Sequence, residues 1–389
     1  MSESSPFVLQ IFSRIDEVPA SAWDALHGEE DSPFVEHAFL SALEYSGCVG
    51  GRSGWTPSHL TFWRDNELVA AAPAYIKTNS EGEFVFDHGW ADAASRAGIA
   101  YYPKLVLAVP FSPVTGRRLL RREGIALSEV AQLVHAACTE LMRALQLSST
   151  HVLFCTEQEC DALEAAQFAR REGVQFHWHN ENYKTYDDFL ARFSSKRRTA
   201  LKRERAQAAR DKITVATVAP QDLVTPTRAR EIHQIYASTV DKFMWGRRYL
   251  NERMFARLLE TWAHRIQWVE ARNEAGDLIA GAFNVSRGSK LYGRYWGASE
   301  EHAFLHFNVC YYHGIDEAIR KGFSVFEPGA GGEHKLVRGF DPTRTFSAHL
   351  LRDPRLDDAV RAFLRREVPS LREAIAREYA ESPLRRRDC

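Results

Sequence analysis

An internal repeat constrains the fold of this chain more than any other feature of its sequence. Residues 58–77, "SHLTFWRDNELVAAAPAYIK", are typical of two strands joined by a polar turn, and residues 266–288 show the same pattern. The cores of the two second strands, "LVAAA" and "LIAGA", match almost letter for letter. In both places a further strand, a helix, a strand, a short helix and a final strand follow. This shared order of elements predicts an internal duplication.

The repeat predicts two domains of mixed-sheet α/β type and a tail. With 389 residues, the chain exceeds what one hydrophobic core usually supports. We expect a first domain over residues 1–175, a second over 176–350 and a helical tail over 351–389. The first domain holds an insert at residues 80–104 that the second lacks. Inserts on a repeated scaffold often carry function.

Composition excludes several classes of protein. The net charge of -1 excludes a polycation, so nucleic acid would have to bind a local basic patch. The 6 cysteines show no C-x-x-C spacing, which predicts reduced thiols. No second ligand pair accompanies His177 and His179, so we predict no metal site. The N-terminus lacks signal-peptide features and no apolar run reaches about 18 residues, so we expect a cytoplasmic protein without membrane insertion.

A basic segment lies between the two repeats. Residues 194–210 are predicted to be helical, and their cations include Lys196, Arg198 and Lys202. Such a density of positive charge suits an RNA backbone, a diphosphate or the phosphates of coenzyme A. The alternative is a solvated helix face.

A glycine-rich stretch, "EPGAGGEHKLVRGF" at residues 327–340, follows a predicted strand of the second repeat. It is not a Walker loop, because two residues separate Gly332 from Lys335 and Leu336 replaces the required hydroxyl. A glycine turn before a helix start can still offer backbone N–H groups, Lys335 and Arg338 to one phosphate or oxyanion. The alternative is a turn whose cations are solvated.

Three further side chains are candidates for acid–base chemistry or substrate contact. Glu333 and His334 precede the lysine of this stretch, and either could serve as a general base. His306 lies near the start of the preceding predicted helix and is a candidate for substrate binding. No G-x-S-x-G motif and no cysteine in a glycine-rich setting is present, which is consistent with direct transfer rather than a covalent intermediate.

The stretch "LYGRYWG" predicts the central strand of the second repeat. Strict alternation would place Tyr292, Arg294 and Trp296 on one face, as a wall for a substrate with an aromatic or anionic part. Core packing explains the two aromatic residues equally well. Arg294 is the more informative residue, because a charged side chain in such a strand needs a partner.

Mixed strands with a helix after the central strand, used twice, resemble a tandem GNAT-type acyltransferase. The second repeat resembles the Fem family of aminoacyltransferases, which add amino acids to peptidoglycan precursors from aminoacyl-tRNA. Its basic helix matches through Lys196, Arg198, Leu201 and Lys202, and its glycine-rich stretch through Lys335, Gly339 and Phe340. The chain is still more similar to the FemAB-like group, labelled as peptidoglycan biosynthesis or N-acetyltransferase proteins. The motifs are "SPFVEHAFLSALEYSG", "GWTPSHL", "YYPKL", "QFHW", "LYGRYWG" and "GEHKLVRG".

The resemblance implies an acyl- or aminoacyltransferase that uses aminoacyl-tRNA as co-substrate and a small-molecule or peptide amine as acceptor, with no tightly bound cofactor. Lys335, Glu333 and His334 are the catalytic candidates. The substrate-binding candidates are Lys196, Arg198, Lys202, Tyr292, Arg294, Trp296, His306 and Arg338.

Two alternatives stay open at this point. An acyl-CoA-dependent N-acyltransferase would be favoured if "RREGIA", residues Arg121 to Ala126, formed a loop at a helix N-terminus, since it fits the permissive pyrophosphate pattern of acetyl-CoA enzymes. A catalytically silent anion- or RNA-binding protein would be favoured if residues 333–338 were exposed and far from any cleft.

Overall fold

The structure is a computed structural model that describes residues 7–242 and 246–384. Its strands are β1 (Val8–Phe12), β2 (Trp55–Pro57), β3 (His59–Arg64), β4 (Glu67–Ala72), β5 (Ala74–Lys77), β6 (Lys104–Leu107), β7 (Leu120–Arg121), β8 (Ser149–Cys155), β9 (Ala169–His179), β10 (Thr214–Thr217), β11 (Ile266–Arg272), β12 (Leu278–Arg287), β13 (Lys290–Ala298), β14 (Val325–Glu327) and β15 (Asp341–Leu351).

The α-helices of the same residues are α1 (Ala20–Asp24), α2 (His37–Tyr45), α3 (His88–Arg96), α4 (Leu127–Ala144), α5 (Glu157–Ala165), α6 (Tyr186–Leu190), α7 (Ser195–Arg205), α8 (Gln207–Arg210), α9 (Pro220–Leu223), α10 (Arg228–Val240), α11 (Glu252–Thr261), α12 (Leu305–Phe307), α13 (His313–Lys321) and α14 (Pro354–Ala380). Short 3-10 helices cover Ile15–Glu17, Pro33–Val35, Ala263–Arg265 and Glu333–Arg338, and a π-helix covers Asn308–Tyr312.

The chain folds into two compact units, and the predicted mixed α/β fold is confirmed. The first unit comprises Met1–Gly173 and Arg344–Glu373, and the second comprises Val174–Thr343 and Ala374–Cys389. The last strand of each repeat, β9 in the first and β15 in the second, therefore contributes residues to both units. The C-terminal helix α14 also contributes to both units, because the boundary between them falls after Glu373.

The first unit contains two sheets. One has the strand order β1-β3-β4-β7, and the other has the order β15-β8-β6-β5-β2 with β6 parallel to β8. The long helix α4 packs on the second sheet through Val130, Val134 and Cys138, which recur at the four-residue spacing of one helix face. They meet Leu105 and Leu107 of β6 in the core of this unit.

The second unit contains one sheet of order β10-β11-β12-β13-β14-β9, in which β13 and β14 are parallel. Its core is rich in aromatic residues, among them Tyr311, Tyr312, Phe326 and Phe340. Helix α13 ends at Gly322, whose φ of 73° is a left-handed value that favours glycine and returns the chain to β14.

A bulge interrupts the alternation of β13. Phe283 pairs with Tyr295, whereas its neighbour Asn284 pairs with Gly293. Arg294 is therefore the extra residue of a β-bulge, and the side chains that follow it on β13 point to the opposite face from the one that strict alternation predicts.

The prediction that Tyr292, Arg294 and Trp296 share one face is therefore wrong. The bulge at Arg294 puts Trp296 on the same face as Gly293 and Tyr292 on the opposite face. Tyr292 is fully buried there.

The basic segment, residues 194–210, forms α7 and α8, and α6 precedes it. The Ser194 side chain accepts a hydrogen bond from the backbone N–H of Arg197 and caps the start of α7. Leu201 and Glu204 are the buried side chains of this helix. Among the cations of α7, Lys196, Lys202 and Arg203 are exposed, whereas Arg197, Arg198 and Arg205 are half-buried.

Within the described parts of the chain, no helix is both long enough and apolar enough to cross a membrane. The same residues hold no group of three or more histidine, cysteine or acidic side chains that could bind a metal ion. The described cysteines are free thiols, and Cys389 lies outside the described residues.

Candidate functional site

The candidate site of the second unit begins where two parallel strands separate. β13 and β14 pair at only three positions, from Lys290 opposite Val325 to Tyr292 opposite Glu327. β13 continues to Ala298, whereas β14 ends and the chain turns away. A gap therefore opens beside the second half of β13.

The glycine loop, residues 328–332, enters this gap and lies close to the strand. Gly329 has a left-handed φ of 96°, and a Cβ atom added there would lie 3.3 Å from the Gly293 carbonyl oxygen. A Cβ atom on Gly293 would lie 3.2 Å from the Cα atom of Pro328. Glycine at both positions therefore allows loop and strand to approach each other.

A cavity of about 270 Å³ lies between the glycine loop, the sheet and the helical segment that precedes α13. Its lining comes from β12 and β13 (Ala282, Asn284, Gly293, Arg294, Tyr295 and Trp296), from the helical segment (His306, Cys310 and Tyr311) and from the loop and the turn after it (residues 328–332, His334 and Lys335). Four predicted side chains, those of Arg294, Trp296, His306 and His334, thus meet the predicted lysine in one cavity.

Lys335 is the most deeply buried cation of this lining, with 2% of its surface exposed. Its Nζ donates to the carbonyl oxygens of Gly329, at 2.5 Å, and Ala330, at 3.4 Å. Burial lowers the pKa of this lysine from 10.5 to about 8. No described carboxylate pairs with it, so its positive charge is compensated only by loop dipoles.

His334 and Tyr311 form a hydrogen-bonded pair at the cavity. The Tyr311 hydroxyl lies 2.9 Å from Nε2 of His334. Burial lowers the pKa of His334, and the nearby Arg338 and Lys335 charges lower it further, so the imidazole is neutral at pH 7. Burial raises the pKa of Tyr311, so its hydroxyl keeps its proton.

An irregular helix places Tyr311 at the cavity. Residues Asn308–Tyr312 form a π-helix between α12 and α13, and both Cys310 and Tyr311 belong to it. Single π-helical turns are frequent at functional sites because they redirect side chains of an otherwise regular helix. Burial raises the pKa of the Cys310 thiol, so this cysteine is not a nucleophile at neutral pH.

His306 packs against Trp296 and lies beside the Tyr311–His334 pair, with its ring centroid 5.1 Å from that of Tyr311 and 6.0 Å from that of His334. The ring centroids of His306 and Trp296 are 4.5 Å apart with an interplanar angle of 31°. Burial, followed by the charges of His334, Lys335 and Arg338, lowers the pKa of His306 to about 4. His306 and Trp296 therefore present a neutral aromatic surface next to the cations of the cavity.

Arg338 lies outside this lining and ties the short 3-10 helix to α7. Its guanidinium contacts Glu204 Oε2 at 2.7 Å and the Tyr312 hydroxyl at 3.0 Å. It also donates to the His334 carbonyl oxygen at 2.9 Å. Arg338 is 6% exposed. The structure thus places this predicted substrate ligand in an internal ion pair that orients the turn bearing His334 and Lys335.

The predicted cations of the basic helix do not line the cavity. Lys196 is exposed, Arg198 is half-buried, and Lys202 pairs with Asp187 at 2.9 Å on the surface. The contact of α7 with the turn comes instead from Arg197, whose Nε donates to the Val337 carbonyl oxygen at 2.7 Å.

Tyr292 and Glu333 are the two remaining residues that the sequence predicts for the site. Tyr292 faces away from the cavity, as described above. The side chain of Glu333 lies outside what the structure describes, so its candidacy as a base stays a prediction.

Sequence reasoning missed Tyr311, Asn284 and the role of Gly293. Asn284 is 3% exposed and lies opposite Gly293 in the lining. A glycine inside a strand pattern was the available signal for a close backbone approach. A π-helical turn leaves no comparable signal in one sequence.

Comparisons with known proteins agree on the fold. The FemAB-like family, described as peptidoglycan biosynthesis/recognition, matches residues 14–386. The chain is similar to the crystal structure of FemX, with a TM-score of 0.55 and 12% identity over 88% of this chain and 98% of that one. It is also similar to L-PGS from Bacillus licheniformis, with a TM-score of 0.50 and 12% identity over 87% and 98% of the two chains. A search of curated protein sequences gives no significant match.

Proposed function

Because the chain belongs to the FemAB-like family and is an acyltransferase, we propose that it transfers an aminoacyl group from aminoacyl-tRNA to an amine acceptor at the cavity of the second unit. One observation carries the proposal. The glycine loop, the buried Lys335 and the Tyr311–His334 pair converge on a single cavity large enough for an aminoacyl group. These groups supply what direct acyl transfer requires, namely charge stabilisation and a proton acceptor.

The proposed reaction is a direct attack of the acceptor amine on the ester carbonyl of the donor. A C–N bond forms, the C–O bond to the ribose breaks, and the amine proton ends on the ribose oxygen. The Lys335 ammonium stabilises the negative charge that develops on the carbonyl oxygen. Its position on the loop carbonyls fixes the ammonium before substrate binds, so little reorganisation is needed.

His334 is the proposed temporary acceptor of the amine proton. It is neutral at pH 7 and exposed on one side, while its Nε2 is held by Tyr311. The neutral imidazole accepts the amine proton, and because its pKa is lowered, the imidazolium that forms gives this proton up readily to the ribose oxygen. His306, with its pKa of about 4, is held against Trp296 and serves as part of the cavity wall.

The outer face of α7 is the proposed contact for the tRNA backbone. Lys196, Arg198 and Lys202 lie on this helix and outside the cavity, which suits a phosphate chain better than the transferred group. The acceptor is a small-molecule or peptide amine of the kind found in peptidoglycan precursors. We expect the reaction in the cytoplasm, where tRNA is charged.

The test is transfer from charged tRNA to an amine acceptor by the purified full-length chain. Wild type is expected to consume the charged tRNA only when the acceptor is present, and Lys335→Ala is expected to lose this activity. Lys212→Ala is the matched control, because Lys212 is an exposed lysine paired with Glu274. Equal turnover by wild type and Lys335→Ala would remove the role given to this lysine.

One observation favours a second candidate, acyl transfer from acyl-CoA. Residues 122–126 form a turn that leads directly into α4, and Gly124 has a left-handed φ of 88°. This meets the condition stated for the pyrophosphate pattern. However, Arg121 donates to the Ile125 carbonyl oxygen at 3.2 Å, and Arg122 pairs with Glu67 at 2.7 Å. Both arginines are thus already bound within the protein.

The two donors are separated by one assay. Consumption of acetyl-CoA in the absence of tRNA, lost on Gly124→Val because valine is strained at this φ, would support the acyl-CoA donor. Consumption of charged tRNA with no dependence on coenzyme A would support the aminoacyl donor. The third alternative, a silent binding protein, required an exposed segment far from a cleft, and the burial of Lys335 in the cavity lining does not meet that condition.

A further inference from the structure

Two buried lysines lie directly opposite each other in the first unit. Lys77 of β5 and Lys104 of β6 are register partners, and each is 0% exposed. Like charges placed opposite each other on neighbouring strands are destabilising, and burial removes the water that would screen them. Such a pair persists only where something compensates both charges.

Two carboxylates from the insert, residues 80–104, provide that compensation. Lys104 Nζ donates to Glu83 Oε2 at 2.9 Å and to Asp87 Oδ2 at 2.5 Å. The other oxygen of Glu83 lies 3.9 Å from Lys77 Nζ, so Glu83 bridges both lysines. Two positive and two negative charges thus make the cluster neutral.

Between residues 83 and 87 the insert buries its acidic side chains and exposes its phenylalanines. The carboxylates of Glu83 and Asp87 are buried, whereas Phe84 is 38% exposed and Phe86 is 72% exposed. Phe84 also has a left-handed φ of 61°, which is costly for a bulky residue. A segment that served only to cover the sheet would place its phenylalanines inside and its acids outside.

Each of the two carboxylates has one buried oxygen atom whose hydrogen-bonding capacity is not used. Among the described residues, neither Glu83 Oε1 nor Asp87 Oδ1 has a hydrogen-bond partner, although both atoms are buried. Burial raises the pKa of Glu83 to about 7 and lowers the pKa of Lys77 to about 7. Asp87 Oδ2 also accepts from the Tyr101 hydroxyl at 2.7 Å, so the unmet oxygen atoms are one of each carboxylate. A buried charge cluster that leaves such atoms unmet is consistent with carboxylates that stand in for a ligand.

We propose that Lys77 and Lys104 form a binding site for a doubly charged oxyanion, namely the phosphate or diphosphate group of a ligand, and that Glu83 and Asp87 occupy this site when the ligand is absent. A dianion that replaces the two carboxylates keeps the buried charge at zero. The inference does not depend on the proposed function, because it concerns other residues in the first unit.

Aromatic rings border the same site. Lys77 Nζ lies 3.8 Å from the ring centroid of Trp55, and Lys104 Nζ lies 5.4 Å and 5.6 Å from those of Tyr101 and Tyr102. These rings hold the ammonium groups in place.

Lys104 donates to Ser80, Glu83 and Asp87, so two of its donors become available to an oxyanion when the carboxylates leave. Lys77 donates to the Glu81 carbonyl oxygen at 2.7 Å and to Asn79 Oδ1 at 3.3 Å, and it offers the oxyanion its nearby charge. Ser80 Oγ, which accepts from Lys104 at 2.8 Å, adds a hydroxyl that can turn to donate to a phosphate.

Entry of a ligand requires the insert to move, because the lysines are fully buried. Helix α3, which follows Asp87 directly, would move with the two carboxylates. The side chains of Phe84 and Phe86 are already exposed, so they lose few apolar contacts when the segment leaves the sheet. The ligand and the carboxylates therefore compete for one position.

The test compares inorganic pyrophosphate binding to the full-length wild type and to the double variant Glu83→Gln, Asp87→Asn, by calorimetry. The substitutions keep the side-chain volume and remove the competing charge, so the variant should bind at least about tenfold more tightly than wild type. Adding Lys104→Met to the double variant should abolish binding. Asp92→Asn, in the exposed part of α3, is the matched control and should behave as wild type. Equal affinity of the wild type and a folded double variant would overturn the proposal.

A second measurement uses the unaltered protein and applies even if the variants fail to fold. Hydrogen exchange of the backbone amides of residues 82–96 should speed up when pyrophosphate is added and should stay unchanged with glutarate at equal ionic strength. No change with pyrophosphate would overturn the site. An equal change with glutarate would overturn the assignment to phosphate, since a dicarboxylate would then be an equivalent ligand.

Discussion

The two units each bury lysine, and they compensate its charge in different ways. Among the described residues, carbonyl oxygens of the glycine loop alone hold the ammonium group of Lys335 in the second unit, and this lysine borders a cavity. Lys104 of the first unit is held by two carboxylates and is sealed beneath the insert. A lysine whose charge is met by carboxylates stabilises the fold and is open to another anion only after those carboxylates leave, whereas one met by dipoles keeps charge available for a substrate without such a rearrangement.

The largest expected effect concerns the sealed lysine. Lys104→Met leaves Glu83 and Asp87 as buried carboxylates with one cation removed, so the free energy of unfolding should fall by about 3–5 kcal/mol. Urea unfolding followed by circular dichroism measures this change. Lys212→Met, at an exposed lysine, should change it by less than about 0.5 kcal/mol. A loss of under about 1 kcal/mol for Lys104→Met would mean that the carboxylates find other partners and that the two lysines do not differ as described.

Lys335→Met should have a small effect on stability and a large effect on transfer activity. It removes hydrogen bonds to two carbonyl oxygens and leaves no carboxylate unpaired, so the free energy of unfolding should fall by only about 1 kcal/mol. Transfer activity should fall by about 100-fold or more, because charge stabilisation at the reacting carbonyl is lost. Stability and kcat/KM are measured on the same preparation. A large loss of stability with little loss of activity would assign Lys335 to the fold instead.

The glycine loop is tested by Gly293→Ala. The added methyl group would lie 3.2 Å from the Cα atom of Pro328 and must push the loop away from β13. Overpacking of this kind costs about 1–3 kcal/mol, and we expect kcat/KM to fall by about tenfold as the lysine moves with the loop. Gly89→Ala is the control, since a Cβ atom there meets nothing within 4 Å. Unchanged kinetics for Gly293→Ala would show that the loop position does not matter for the reaction.

The sequence predicts the glycine loop and its lysine well, because glycines and a following lysine are local signals. The repeat likewise predicts both hairpins, the helix α4 and the order of the strands. What a local signal cannot predict is the pairing of the final strands, since β9 pairs with β14 of the second unit and β15 pairs with β8 of the first. Such long-range pairing depends on the whole fold.

Irregular backbone limits the prediction of the cavity itself. Counting by twos along β13 fails at Arg294, where the bulge reverses the faces, and counting by helical turns fails at Tyr311 in the π-helix. The buried cluster of Lys77 and Lys104 is hidden for a different reason. Single charged residues at the ends of strands look solvated in a sequence, and only the register of β5 with β6 places the two lysines together.

The smallest expected effect is the pH dependence of stability that Lys335 causes, which can be compared with the pH dependence of its contribution to activity. The pKa of Lys335 falls from 10.5 to about 8 on folding, so the unfolded chain holds the proton more tightly between these values. The stability of wild type relative to Lys335→Met should therefore rise with pH, by about 0.7 kcal/mol from pH 7.5 to 8.5.

Activity should change in the opposite direction over the same range, if the Lys335 ammonium is the active form. Loss of its proton above about pH 8 removes the charge that stabilises the oxyanion, so the ratio of wild-type to Lys335→Met activity should fall as that stability difference rises. The ratio cancels the titration of the acceptor amine. The Lys335 charge contributes to the pKa shifts of His334, His306 and Cys310, but the two histidines have lowered pKa values and the thiol a raised one, so none of them changes its protonation state in wild type over this range. A ratio that rose with pH would instead identify the neutral lysine as a base, and would reverse the assignment of roles between Lys335 and His334.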